Sequence, residues 1–259
     1  ADPIWYGLAI DANTGVLQWR HEWQISDPNQ GVIRSLTFDD GGDIFLAGYS
    51  IPGTMSFGGP TIQVGPPPGG WSQGFVVHLD PNGEWVAGNT FCDQCIPWKI
   101  ALGPGGEIIV AGIVNFYQLG NIPTPPGNND RGVFRLDAST FQPMWAKFMN
   151  EIPDIAIGID GQIGFSFGSE DIYLDGAAPL GIGTRDLIIG KITMNGTIPW
   201  YRLFGAPGAV LDDIGLQTYR AQPDGKAIVY ITASGPPVDF GFGPMTFPSS
   251  NVALMQIAP

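Results

Sequence analysis

The densest chemical signal in the chain is Cys92-Asp-Gln-Cys95, which holds both of its cysteines. Two thiols at this spacing serve as a small-loop disulfide, a redox pair or half of a metal site. Zinc needs two further ligands, and the two histidines, His21 and His78, lie far away in sequence. The redox reading asks for a strand-to-helix setting, and helical periodicity is absent. A structural Cys92–Cys95 disulfide is the expectation, and it suits an oxidising compartment.

General acid-base and nucleophilic catalysis draw on His, Cys, Lys or paired carboxylates. His21 and His78 each stand alone in an apolar strand pattern, where a histidine usually makes a rim or cross-strand contact. No H-E-x-x-H and no G-x-x-x-x-G-K occurs. Two loop carboxylates could act as a hydrolytic pair, but 24 acids at no fixed spacing single out none. Asp212-Asp213 could contribute to a calcium site, which takes six to eight oxygen ligands. No D-x-D-x-D-G loop accompanies it, so the pair reads as solvated. A non-enzymatic protein without cofactor or metal is expected, with Ca²⁺ the one ion the acids would suit.

The elements that position these residues form a repeat. A turn followed by an apolar strand recurs as Gly42-Asp-Ile-Phe-Leu-Ala-Gly48, Gly106-Glu-Ile-Ile-Val-Ala-Gly112, Gly161-Gln-Ile-Gly-Phe-Ser-Phe-Gly168 and Gly225-Lys-Ala-Ile-Val-Tyr-Ile231, roughly every 60 residues. Alternating with it is a strand, a tight turn and a tryptophan strand. That unit appears as Leu8-Ala-Ile-Asp-Ala-Asn-Thr-Gly15 with Trp19, Val77-His-Leu-Asp-Pro-Asn-Gly83 with Trp85, Phe134-Arg-Leu-Asp-Ala-Ser-Thr140 with Trp145, and Lys191-Ile-Thr-Met-Asn-Gly196 with Trp200. A third element, an apolar residue ahead of a Gly/Pro turn, keeps the same phase at Phe57, Leu119, Leu174 and Phe240.

Val, Ile, Phe and Tyr runs bounded by Asp-Gly and Asn-Gly turns are strand and hairpin signals. Each unit reads as four strands, a to d. The expected fold is an all-β propeller of four-stranded antiparallel blades. It forms one domain over residues 1–259, with repeats at roughly 32–91, 98–149, 154–204 and 214–259 plus a leading piece at 4–24. Four blades are expected, one split between the N- and C-termini, with one c strand to spare. The outer-strand tryptophans are expected to fill the widening gap between blades.

Bulk composition narrows the partners. Net charge is −13, and the 11 Lys and Arg are scattered singly. Nucleic acid binding rests on cations that neutralise phosphates, so neither nucleic acid nor an anionic membrane surface is expected. No apolar run approaches the roughly 20 residues that cross a bilayer.

Val238-Asp-Phe-Gly-Phe-Gly-Pro-Met245, Gly74-Phe-Val-Val-His-Leu-Asp-Pro-Asn-Gly83, and Asp186-Leu-Ile-Ile-Gly-Lys-Ile192 with Ile198-Pro-Trp200 carry a family likeness. Here the repeat resembles the secreted bacterial β-propeller repeats known as SBBP. The resemblance implies an extracellular or cell-surface setting and brings no catalytic residues. The Pro-rich insert at 65–70 and the Cys92–Cys95 pair depart from it. Ala9-Ile-Asp-Ala-Asn-Thr-Gly15 with Trp19 is also similar to repeats of propellers related to pyrroloquinoline-quinone dehydrogenases, a match the later repeats lose.

In such a blade the b–c and d–a connections share one face, and here they are the long ones: 51–73, 115–130, 169–185 and 233–251, joined by 91–97 and 204–213. Loops on a rigid scaffold usually carry recognition. That face offers Trp71, Phe116, Tyr117, Tyr173 and Phe242 as aromatics and Asp130, Asp171, Asp175, Asp212, Asp213 and Asp239 as acids. The expectation is a binding or adhesion module for a glycan or a protein. A structural unit that self-associates through its end strands, and a hydrolase or lyase using loop carboxylates, are the alternatives.

Overall fold

The computed structural model describes residues 4–25, 31–65, 72–114, 118–125, 130–158, 160–175, 180–181, 185–212, 220–221, 227–241 and 243–257. These residues form strands, turns and loops, without a helix. In chain order the strands begin with β1 (Ile4–Ile10), β2 (Leu17–Ile25), β3 (Gly31–Phe38), β4 (Ile44–Ser50), β5 (Gly53–Ser56), β6 (Ile62–Val64), β7 (Gln73–Leu79) and β8 (Trp85–Asp93). They continue with β9 (Cys95–Leu102), β10 (Ile108–Val114), β11 (Gln118–Leu119), β12 (Ile122–Pro123), β13 (Arg131–Leu136) and β14 (Pro143–Met149). The last are β15 (Asp154–Ile157), β16 (Ile163–Ser169), β17 (Asp186–Ile192), β18 (Trp200–Phe204), β19 (Val210–Asp212), β20 (Arg220–Ala221), β21 (Ala227–Asp239) and β22 (Pro244–Ile257).

Three complete blades follow one another, each an antiparallel four-strand meander. We call them sheet II (β3-β4-β7-β8), sheet III (β9-β10-β13-β14) and sheet IV (β15-β16-β17-β18). In sheet V, β21 pairs with β19 and β20 along one edge and with β22 along the other. Sheet I joins β1 and β2 to β5 and β6. This is a propeller-type all-β fold of four-stranded antiparallel sheets. The expected sharing of one blade between the chain ends is not what these strands do. The N-terminal hairpin takes its partner from the b–c connection of sheet II, where Gln24 and Ile25 pair with Ser56 and Met55.

Strand parity explains the stacking. Along β4, Ile44 and Leu46 pack into the core toward sheet I, while Phe45 and Ala47 pack toward sheet III. Along β10, Ile108 and Val110 face sheet II, and Ile109 and Ala111 face sheet IV. Leu187 and Ile189 of β17 likewise face sheet V, with Ile188 turned to sheet III. A strand covered on both faces reads as an unbroken apolar run rather than an alternation, which is why β10 is made entirely of Ile, Val, Ala and Gly. Four cores result, one between each consecutive pair of sheets.

The b–c connections reach back. Phe57 enters the core between sheets I and II, Leu119 that between II and III, Leu174 that between III and IV, and Phe240 that between IV and V. Each is at most 5 % exposed, so the third recurring element of the sequence is a plug fastening one blade onto its predecessor. The contacts are specific. Phe57 lies 5.3 Å from Trp23, Phe240 lies 5.4 Å from Phe204, and Asp175 donates its amide to the Phe148 carbonyl.

Tight turns are closed by their own aspartates. The Asp39 carboxylate accepts from the amides of Gly41 and Asp43, and Asp80 does the same for Asn82 and Glu84. Asp137 accepts four such bonds, from the Ser139 hydroxyl, the Thr140 amide, the Thr140 hydroxyl and the Ser139 amide. The Ser139 hydroxyl, with the other three donors, lowers its pKa from 3.8 to about 2. A depressed carboxylate stabilises the fold above its unfolded pKa, and that contribution is lost as pH falls through the folded one. An NMR titration of the Asp137 side-chain carbon should therefore show a midpoint near 2 in the folded protein. A midpoint at the ordinary 3.8 would show that the four bonds do not persist.

Candidate functional site

Of the loop residues named as binding candidates, Trp71, Phe116, Tyr117, Asp213 and Phe242 lie outside the described residues, and Asp212 ends β19 with its side chain outside them. Tyr173 is half-buried, its amide donating to the Asn150 side chain at 3.0 Å. Asp239 is exposed and closes the hairpin turn, accepting from Gly241 and Gly243. Asp171 takes the Asn150 amide group on its carbonyl, Asp175 pairs with Lys147 at 2.6 Å, and Asp130 lies 3.7 Å from Arg131. The described part of the long-loop face is thus used for fastening blades and closing turns.

The other chemical candidates also have structural partners. His78 stacks on its cross-strand neighbour Phe45 and meets the Asp43 carboxylate at 2.6 Å. His21 contacts the Asn82 carbonyl. Gly164-Phe-Ser166-Phe-Gly168 matches G-x-S-x-G, a pattern that places a nucleophile on a strand-to-helix elbow. Here Ser166 sits mid-strand in β16, opposite Asp154 and Ile189, and is buried, so the match is coincidental. Among the described residues no three His, Cys, Asp or Glu side chains converge as metal ligands.

Cys92 and Cys95 are disulfide-bonded. They close the turn that carries the chain from β8 into β9, where Gln94 takes a positive φ of 62°. A shallow cleft of about 220 Å³ lies beside them, lined by Thr90, Phe91, Cys92, Asp93, Gly120 and Gln142. Trp19 and Trp145 do the packing expected of the outer-strand tryptophans. Trp19 donates to the Pro81 carbonyl and covers Gly83; Trp145 donates to the Met194 carbonyl and covers Gly196. Each thus caps a turn of the next blade. Both glycines combine a positive φ (78° and 85°) with an indole at about 3 Å from where a Cβ would stand, so no side chain fits either position.

The arrangement that sequence reasoning missed lies on the inner strands. Ser35, Lys99 and Asp154 stand opposite Ala47, Ala111 and Ser166, the same step of three successive b strands. The ladder therefore brings them into one row. The Lys99 ammonium donates to the Asp154 carboxylate, which also accepts from the Ile155 amide, and the Ile100 amide donates to Ser35 Oγ. Immediately before this row both β3 and β9 carry a bulge. Ile33 pairs with Gly48 and Ser35 with Ala47, leaving Arg34 over; Pro97 pairs with Gly112 and Lys99 with Ala111, leaving Trp98 over. A bulge re-aims the unpaired side chain, and two at equivalent positions aim Arg34 and Trp98 at each other. The guanidinium carbon lies 4.4 Å from the Trp98 ring centre and 5.5 Å from that of Tyr49. Arg34 is exposed and Trp98 is 39 % exposed. Aromatic faces on a guanidinium orient it while leaving its edge geometry suited to bidentate pairing with a planar oxyanion. No short-range signal marks these positions, since a bulge depends on the partner strand.

No protein-family model matches the chain, and no curated protein matches it either. Among solved structures it is similar to a protein of unknown function from Bacteroides caccae, at 12% identity and TM-score 0.38, over 85% of this chain and 76% of that one. A luciferin-regenerating enzyme aligns at 12% identity and TM-score 0.35, over 90% of this chain and 64% of the other. A virginiamycin B lyase from Staphylococcus aureus aligns at 13% identity and TM-score 0.22, over 90% and 88%.

Proposed function

We propose that this protein is a secreted or cell-surface, non-enzymatic binding module that recognises a carboxylate-bearing glycan on its inner-strand face. The observation that carries the reading is the Arg34–Trp98 pair, extruded by matching bulges and exposed beside Tyr49. An exposed indole offers a stacking surface for a sugar ring, and an oriented guanidinium offers two parallel donors to a uronate. The neighbouring carboxylate, Asp154, is buried against Lys99 and its own strand amide, which suits a structural post rather than a catalytic acid. The disulfide suits an oxidising compartment. The resemblance to secreted bacterial propeller repeats supports the surface setting. The net charge of −13 opposes long polyanions, so a glycan with isolated acidic sugars fits better than a densely charged one.

The test is a glycan array containing neutral and uronate-bearing oligosaccharides, followed by titration calorimetry on any hit. Trp98→Ala and Arg34→Ala are each expected to weaken binding at least about tenfold, the equivalent of about 1.4 kcal/mol, with circular dichroism unchanged. Silence across the array, or full binding by Trp98→Ala, would overturn the reading.

A further inference from the structure

The three complete blades differ at one step, and the difference falls on the recognition pair. Past the row of Ser35, Lys99 and Asp154, the first strands of sheets II and III run on for three more pairs. These are Ile33 with Gly48, Val32 with Tyr49 and Gly31 with Ser50 in sheet II. In sheet III they are Pro97 with Gly112, Ile96 with Ile113 and Cys95 with Val114. Both strands enter this extension through the bulge that extrudes Arg34 or Trp98, and both meet a glycine there. In sheet IV the ladder ends with Asp154 opposite Ser166, and β15 has no bulge. The residue in the glycine's place is Phe167, 1 % exposed and packed in the core between sheets III and IV.

A glycine within a strand often marks a bulge or a close approach of another backbone. A Cβ on Gly112 would stand 2.5 Å from the Ile96 carbonyl oxygen and 3.0 Å from Pro97 Cα. One on Gly48 would meet the Val32 carbonyl oxygen and the Phe75 ring. Ile96 and Val32 each lie two residues before the extruded side chain. In both sheets the nearest obstacle is first-strand backbone, which cannot swing aside as a side-chain tip can.

We propose that Gly48 and Gly112 are positioning residues of the recognition site, deciding which blades present a side chain there. The proposal rests on the reading of Arg34 and Trp98 as the binding pair. Each glycine lets the first strand lie close against the second beyond the row. The surplus residue is then extruded as a bulge and its side chain re-aimed. Two adjacent blades with this device bring a guanidinium to 4.4 Å from an indole. A methyl at either glycine lifts the first-strand backbone and moves the base of one partner, so the guanidinium loses the ring that orients it. The footprint is two blades wide, because Phe167 denies sheet IV the same device, and this width suits a single acidic sugar.

The experiment uses the whole chain and reads the Arg34 Nε–H proton by NMR, whose resonance the stacked indole moves upfield. Gly112→Ala is expected to shift that resonance to its position in Trp98→Ala, and to weaken binding of a galacturonic acid trimer at least about tenfold. Gly132→Ala is the control. A Cβ there would meet the Lys147 carbonyl oxygen, an equal crowding on the other edge of β13. It is expected to leave the Arg34 resonance and the affinity unchanged. An Arg34 resonance that stays upfield in Gly112→Ala, or that moves as far in Gly132→Ala, overturns the proposal. The resonance needs no ligand, so a wild type that binds no uronate defeats the glycan reading while the resonance still decides this one. Should Gly112→Ala not fold, the same substitution in a chain lacking Trp98 is expected to restore folding, because the deletion returns the two strands to equal count. A deletion variant that stays unfolded overturns the proposal as well.

Discussion

Phe57→Ala is expected to destabilise the protein by about 3–5 kcal/mol, the loss seen for deleting a fully buried aromatic side chain. The number is unusual for a residue in a connecting loop, where substitutions away from special features usually stay within about 0.5 kcal/mol. The expectation follows from what the ring touches. Phe57 is 1 % exposed and lies 5.8 Å from Trp5, 5.3 Å from Trp23 and 5.9 Å from Phe75, ring centre to ring centre. Trp5 and Trp23 belong to sheet I and Phe75 to sheet II, so the ring bridges two sheets that share no strand. Truncation leaves a cavity that three rigid aromatics cannot collapse to fill. Urea unfolding of the purified variant checks this, and a loss under about 1 kcal/mol would show that the connection is not a plug. The neighbouring exposed Gln63 makes the control, since Gln63→Ala should move the midpoint little.

Lys99→Met is expected to cost about 3 kcal/mol, because it leaves a buried carboxylate without its cation. The Asp154 side chain is 1 % exposed and that of Lys99 29 % exposed, so the acid bears most of the desolvation. The double variant Lys99→Met/Asp154→Leu is expected to recover most of the loss, since replacing both members of a buried pair by apolar groups is often neutral. A double variant as unstable as the single one would mean that Asp154 serves the inner strands through its bond to the Ile155 amide more than through the ion pair. Guanidinium denaturation of both variants at neutral pH separates these outcomes.

What was legible in the sequence was governed by short-range physics. Asp39, Asp80 and Asp137 announced their turns because an aspartate closes a turn with amides two to four residues on. Gly83 and Gly196 marked hairpins because a tight turn needs a positive φ there, which glycine adopts most readily. The four-strand period and the capping tryptophans followed from repetition. The recurrence of Phe57, Leu119, Leu174 and Phe240 was also visible, yet their destination was not, because a plug is defined by the sheet it enters rather than by its neighbours in the chain. The closure expected across the chain ends failed for a related reason. β1 and β2 were legible as a hairpin of strands, but which edge they join depends on β5, a strand only four residues long inside an apparent loop. Arg34 and Trp98 were invisible for the third version of that reason, since their extrusion is a mismatch of count between two strands.

The division of β4, β7, β10, β13 and β17 between two cores has a consequence for how the molecule comes apart. Each interior sheet is a shared wall, so its loss removes the lining of two rooms, whereas loss of an outer sheet opens one. In a row of units coupled only to immediate neighbours, opening starts at the margins and its penalty rises toward the middle. Amides of β10 and β13 should thus be the last to trade their hydrogens with solvent, and a defect placed there would sever the row rather than shorten it.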